Sequence, residues 1–355
     1  MNFQHSAEQD MLRSSVAGTF ARGGAETERA LAELGVFGLL VAPERDGSGL
    51  GLVEAAIVLQ EAGRAGVGGS LAETLLMADE LAQAMPELAS DILAGTLAIV
   101  APVSGGLQRT GGRLRGSLTL QRPNEGDWIA APIGGGTQVA LFPAAGIPST
   151  PRARIEAVAS SCRIEVDVAE GDIRAVTVEA FADRLAILRC AELLGAAEHC
   201  LALSVGYLKD REQFGQPIGA NQALKHIAAD TYLSQENIRV AVEYAAAARD
   251  AADANRSDEA LRAASVQAVE VMLAYVPRAA REIAETAIHL HGGIGLTWDY
   301  GLNAYLRRIV RLGMALGAVS AHQLAVFERF SSHGQPTEAT QPSPAVQEVH
   351  YDRAV

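Results

Sequence analysis

No dense basic stretch occurs anywhere in this 355-residue sequence, and its formal net charge is −13. Such a chain draws neither nucleic acid nor other polyanions by its general field, so an anionic ligand would need a local basic patch. Aromatic residues make up only 5% of the chain. No run of 18 or more apolar residues free of charge is present, so no membrane-spanning helix is expected. The three cysteines, Cys162, Cys190 and Cys200, have neither metal-ligand spacing nor the even number of a disulfide framework. Buried, reduced thiols and no metal site are expected. Met1 to Asp10 is polar and acidic and lacks a basic segment followed by an apolar one. No signal peptide and a cytoplasmic location are therefore expected.

What is present favours helices. Hydrophobic residues reach 49%, and alanine, leucine and glutamate are abundant. Residues 1–96 read as a helical domain. Ser6 with Gln9 three residues later forms a capping-box pattern ahead of Met11, Leu12, Val16 and Phe20, which recur at a helical period. Further helices are expected at Ala30–Gly35, Val53–Ala65 and Leu71–Ala84, with a loop from Pro43 to Gly51. Residues 97–177 change texture: short apolar runs at 97–100, 114–120, 128–130, 138–142 and 163–168, separated by turns, predict a small β domain. Trp128 is read there as a strand-packing residue. Residues 178–331 return to long helical patterns at 179–209, 221–252, 258–289 and 302–330, which predict a four-helix bundle. Residues 332–355, with three prolines and little periodicity, read as a flexible tail.

Two motifs stand out in the last third. The first is Arg211-Glu212-Gln213-Phe214-Gly215-Gln216-Pro217-Ile218-Gly219; the second, about 70 residues on, is His289-Leu290-His291-Gly292-Gly293-Ile294-Gly295. Arg211 offers a fork of donors suited to phosphate oxygens, and Gly292 and Gly293 admit a close approach of backbone to ligand. The helix starting near Gln222 can aim its N-terminus at negative charge.

In this order, and after helices followed by a small β domain, the motifs resemble those of the acyl-CoA dehydrogenase family. The resemblance implies a mainly α fold with a helical N-terminal domain, a middle β-barrel and a C-terminal four-helix bundle. It implies FAD as cofactor and the α,β-dehydrogenation of an acyl-CoA thioester, with an electron-transfer flavoprotein as acceptor. It also implies that Arg211, Gln213, Phe214, His289, Gly292 and Gly293 contact an FAD held mainly by a neighbouring subunit.

The family's own catalytic positions depart from the pattern. Family chemistry needs a carboxylate base near the substrate α-carbon. Counting from Tyr300 places that base at Leu316, and counting back from Arg211 places the alternative position at Leu185. Neither can take a proton, and Tyr300 to Val326 contains no acidic residue at all. Ala186 stands where an arginine is common. The segment Ala101–Gly106 lacks the acidic residue usual on the flavin-lining strands. Glu192, two helical turns beyond Leu185, is the first substitute base to consider, with Asp183 and Glu198 next. Asp299 reads as a turn or helix cap. Arg307, Arg308 and Arg311 read as a basic helix face, solvated or interfacial, with a role near the CoA phosphates as the weaker alternative.

These departures resemble the shorter, degenerate partner chains of heteromeric αβ acyl-CoA dehydrogenases acting on steroid side chains. The expected role is then to supply the trans half of an FAD site to a second dehydrogenase subunit. Two alternatives stand beside it: a self-sufficient enzyme with a relocated base, and a scaffold without flavin.

Overall fold

The computed structural model describes residues 5–24, 26–67, 69–134, 137–151, 161–178, 180–297 and 300–333. Of the tail read over residues 332–355, Ser332 and His333 belong to the last helix; the rest, and the cap role of Asp299, fall outside the described residues.

The N-terminal helices are α1 (Ala7–Arg22), α2 (Thr27–Glu33), α3 (Leu52–Arg64), α4 (Leu71–Ala84) and α5 (Pro86–Leu93). The capping box forms as the sequence predicts: Ser6 Oγ accepts from Gln9 N at 3.3 Å, and Gln9 Oε1 accepts from Ser6 N at 2.9 Å. Gly35 takes a left-handed conformation just past α2, which stops that helix. Helix α5 lies outside the sequence expectation; Pro86 at its first position starts it directly after α4.

The strands β1 (Ile99–Val100), β2 (Gln108–Thr110), β3 (Arg113–Gln121), β4 (Trp128–Pro132), β5 (Gln138–Pro143), β6 (Ser149–Pro151), β7 (Ser161–Ala169) and β8 (Arg174–Thr177) build two four-stranded sheets. One has the order β1-β4-β5-β8 and the other β2-β3-β7-β6, all pairs antiparallel except β1 with β4. Strand β7 shows the alternation that lets each sheet cover a core: Cys162, Ile164 and Val166 are buried while Arg163, Glu165 and Asp167 face out. The short strands β2, β6 and β8 are mostly exposed, so they carry no apolar alternation for sequence reasoning to find.

Four long helical patterns give five helices. They are α6 (Phe181–Asp210), α7 (Gln222–Ala254), α8 (Glu259–His291), α9 (Leu302–Ala315) and α10 (Val319–His333). The expected fourth helix breaks at Leu316-Gly317-Ala318, where α10 turns away by 49°. Gly317 adopts a φ of +92°, and the His322 ring sits 2.8 Å from the Leu316 carbonyl the break frees. Among the described residues no single helix is long and apolar enough to cross a membrane; the bent pair α9 and α10 reaches that length and composition only together.

The N-terminal helices and the bundle share one hydrophobic core, running from Val16 and Phe20 through α3 and α4 to α6, α8 and Leu316. The β sheets enclose a second core around Leu107, Leu118, Ile129 and Ile164. Trp128 is half-buried and packs on the first. Helices α3 and α6 cross with backbones touching: a Cβ at Gly63 would strike the Glu192 backbone, and one at Gly195 the Gln60 backbone. The N-terminus of α3 is capped from α7, where the Asp250 carboxylate accepts from Leu52 N at 2.8 Å and Val53 N at 3.1 Å. Burial pushes that carboxyl up to about 6 against the donation from the two amides. All three cysteines are buried and unpaired, and burial raises each thiol.

Candidate functional site

The first motif leaves the end of α6 and makes a two-stranded hairpin, β9 (Glu212–Gln213) with β10 (Gln216–Pro217). Phe214 (φ +53°) and Gly215 (φ +80°) are both left-handed. That is the signature of a type I′ turn, which matches the twist of a tight hairpin. Glycine fits it freely, whereas a left-handed phenylalanine costs on the order of 1 kcal/mol. The ring gains nothing from its own chain in return: Phe214 is fully exposed at the tip, at 101% of its reference area. Arg211 and Gln213 are exposed beside it. Behind them Ile218 N donates to Arg211 O at 2.8 Å. Helix α7 then starts under an Asn221 cap, whose Oδ1 accepts from Ala223 N at 3.0 Å.

The second motif ends α8. Gly292 turns the chain with a φ of +63°, and nothing lies within 4 Å of a would-be Cβ at Gly292 or Gly293. Both glycines and His289 are solvent-accessible. Gly295 is different: a Cβ there would meet Ile288 O at 2.9 Å, so its lack of a side chain serves packing.

One residue that the sequence reading passed over links the two motifs. His291 is buried, its Nδ1 lies 2.7 Å from Ala287 O, and its Nε2 has no partner among the described residues. Its ring stacks on Tyr207 at 4.4 Å and meets Tyr300 edge-on at 4.6 Å. Tyr207 lies one helical turn before Arg211, so this stack ties the base of the hairpin to the base of the Gly-Gly loop. Burial lowers the imidazole's basicity, which keeps the ring neutral between its aromatic neighbours. The available signal was spacing: a tyrosine four residues before one motif and a histidine inside the other.

The crevice between α4, β1, α6 and α9 is built differently. Leu185 and Leu316, the two positions that counting along the sequence assigns to a base, are both buried. Arg189 and Glu192 follow Leu185 along the same face of α6, and Ala315 precedes Leu316. Arg189 pairs with Glu73 of α4 at 2.8 Å, both buried. Arg308 of α9 pairs with Glu192 at 2.5 Å and donates to the Gly66 and Val67 carbonyls. Arg308 is therefore a buried tie across three segments and not part of an outer basic face, because its partners come from sequence more than 100 residues away. Arg311 does line the crevice. What space remains is about 20 Å³, room for a single water.

Glu192 is thus held by a guanidinium. Glu198 accepts from Gln60 at 2.9 Å and Arg64 at 2.5 Å, clamping α6 to α3. Asp183 is half-buried, its carboxyl raised by burial against the pull of Arg249. The three substitute bases each face a cation, and none stands open in the crevice.

Residues 176–329 match the acyl-CoA dehydrogenase C-terminal domain, and residues 6–82 match the acyl-CoA dehydrogenase N-terminal domain. The acyl-CoA dehydrogenase IpdE2 of Mycobacterium tuberculosis is 32% identical over 325 residues, covering 85% of this chain and 90% of IpdE2. The chain belongs to the acyl-CoA dehydrogenase family. Two solved structures share the fold. A Tcur3481-Tcur3483 steroid ACAD variant aligns with a TM-score of 0.76 at 22% identity, covering 92% of this chain and 98% of its own. The ChsE4-ChsE5 complex from Mycobacterium tuberculosis aligns with 0.74 at 21%, covering 95% and 100%. Acyl-CoA dehydrogenases are oxidoreductases, and FAD is the cofactor of the family. The exposed Arg211, Phe214 and Gly292-Gly293 of this dehydrogenase suit a dinucleotide: donors for phosphate, an open apolar ring and uncrowded backbone. Its crevice holds two buried ion pairs and about 20 Å³ of free space.

Proposed function

We propose that this acyl-CoA dehydrogenase chain is the partner subunit of a hetero-oligomer, supplying the trans half of an FAD site whose base and flavin pocket belong to a second dehydrogenase chain. One contrast carries the reading. The groups suited to FAD stand exposed at the hairpin tip and the Gly-Gly loop, whereas the chain's own crevice is filled by two buried ion pairs with leucine at both base positions.

Each residue then has a physical task. Arg211 holds the diphosphate through paired charge-assisted hydrogen bonds, the strongest kind available to an exposed loop. Gln213 and His289 donate to ribose or phosphate oxygens. Phe214 offers its face to the adenine, which would recover the apolar area that now lies in water. Gly292 and Gly293 let backbone amides approach the diphosphate. FAD supplies the hydride acceptor. Because the chain carries charge −13, these few cations do not arise from a general basic field and act only at contact. The assembly would oxidise an acyl-CoA thioester to the 2-enoyl-CoA in the cytoplasm and pass electrons to an electron-transfer flavoprotein. That one structural neighbour is described as a steroid dehydrogenase and another as a two-protein complex supports a ring-bearing acyl group and a heteromeric assembly.

The test is native mass and flavin absorbance of the purified chain, alone and co-expressed with an adjacent dehydrogenase gene product. A colourless chain that becomes part of a yellow heteromer supports the reading, and Arg211→Ala should then strip the flavin. A yellow chain that turns over acyl-CoA by itself, and is silenced by Glu192→Gln, overturns it. Flavin content indifferent to Arg211→Ala in every assembly favours the scaffold.

A further inference from the structure

A second cavity lies next to the filled crevice, meeting it at Gly69 and Ser70 at the start of α4, and neither motif touches it. It measures about 540 Å³, well within the range of small-molecule sites. Phe20, Leu31, Phe37, Val67, Leu71 and Leu97 give it apolar walls. Its hydroxyls are largely occupied at home: Thr27 Oγ1 donates to Gly24 O at 2.9 Å, and Thr74 Oγ1 accepts from Ile99 N at 3.0 Å.

Glu28 lines the cavity. Asp127 does not: it is buried behind Ala98, its carboxylate accepting from Asn124 N at 2.7 Å and from the Ala98 N–H. The two carboxyls repel each other, and no ion pair to either is found among the described residues. Partial burial and that repulsion raise the Glu28 carboxyl, and burial raises Asp127 despite its amide donors. A negative end on an apolar chamber rejects acyl-CoA and free carboxylates, which would add a third negative charge. A protonated amine on an apolar body would satisfy both features at once.

We infer that this cavity is a binding site for a small apolar amine, its ammonium at Glu28 and its hydrocarbon against Phe20, Leu31, Leu71 and Leu97. The site is separate from the proposed FAD half-site and does not depend on it. It does share a wall with the crevice: Gly69 and Ser70 line both, and the carbonyls of Gly66 and Val67, which line the cavity, hold Arg308.

Three probes with one hydrocarbon and different heads decide the matter. Octylamine, octan-1-ol and octanoate would be titrated calorimetrically into the full-length chain near neutral pH. Octylamine should bind saturably and at least tenfold more tightly than either of the others. Glu28→Gln, which keeps the side chain's size and removes its charge, should bring octylamine down to the level of octanol. Leu97→Trp, which fills the chamber, should weaken all three, with its melting temperature checked against the parent. Octanoate or octanol binding as tightly as the amine overturns the assignment. So does an octylamine affinity unmoved by Glu28→Gln, or the absence of saturable binding.

Discussion

The hairpin tip and the crevice under α4 handle charge in opposite ways. At the tip, Arg211 and Phe214 face water and are held out by a strained turn. In the crevice, Arg189 and Arg308 are buried and each is matched to a glutamate from another helix. A binding surface needs groups whose partners come from elsewhere; a packed interior needs every charge answered from within. Residues of the same type therefore read differently by region: the exposed set lacks partners within the fold that the buried set has.

Four experiments probe the contrast. The largest effect is expected in the crevice. Arg308→Ala leaves Glu192 charged and buried, and should cost about 3–5 kcal/mol by denaturant unfolding. Replacing both partners together, Arg308→Met with Glu192→Leu, should cost much less, because no lone charge remains. If the single variant is as stable as the parent, water reaches the crevice freely and a ligand could follow it.

At the tip, Arg211→Ala should leave unfolding of the chain within about 0.5 kcal/mol of the parent, as surface changes usually do. In the proposed heteromer it should weaken FAD by roughly 10- to 100-fold, the range of a charge-assisted hydrogen bond worth about 1.5–3 kcal/mol. Flavin titration of the apo-assembly reads this directly. A chain destabilised by Arg211→Ala would place that residue on the interior side of the comparison.

A smaller effect concerns protons on the buried side. Asp250 is raised in the folded chain to about 6 from an ordinary 3.8. A raised carboxyl binds its proton more readily folded than unfolded. Its contribution is therefore present below about pH 4 and is lost as pH rises through 6. Within that window the parent should lose about 1.4 kcal/mol per pH unit relative to Asp250→Asn. Unfolding curves of both proteins at pH 4 and 6 would show it; parallel curves would mean that the carboxyl is solvated.

The smallest effect is at Phe214. Asparagine tolerates the left-handed conformation, so Phe214→Asn should stabilise the isolated chain by up to about 1 kcal/mol while lowering flavin retention in the heteromer. Opposite signs in the two measurements would mark the ring as kept for a partner. A loss of stability in the isolated chain would show that Phe214 packs at home.

Much of this was legible from residues alone. The capping box at Ser6, the buried alternation of β7 and both motifs were local patterns, and they lie where sequence spacing places them. The break at Gly317 was missed because an apolar helical period runs on through it; only the turned φ and the His322 contact reveal the stop. Arg308 was misread for a related reason. A helix face beside Arg307 and Arg311 looks solvated until Glu192 and the Gly66 carbonyl arrive from distant segments. His291 shows no role in its own motif because the ring it stacks on, Tyr207, lies more than 80 residues away, and only its place one turn before the first motif hints at the link.

The close crossing at Gly63 and Gly195 bears on how such chains can be rebuilt. Each glycine accommodates the other helix's backbone, so neither half of the molecule is free to vary alone at that crossing. A chimera joining the N-terminal helices of one relative to the remainder of another would need glycine on both sides of the seam. With alanine at either site the helices would stand apart, and the clamp of Glu198 to Gln60 and Arg64 would open with them.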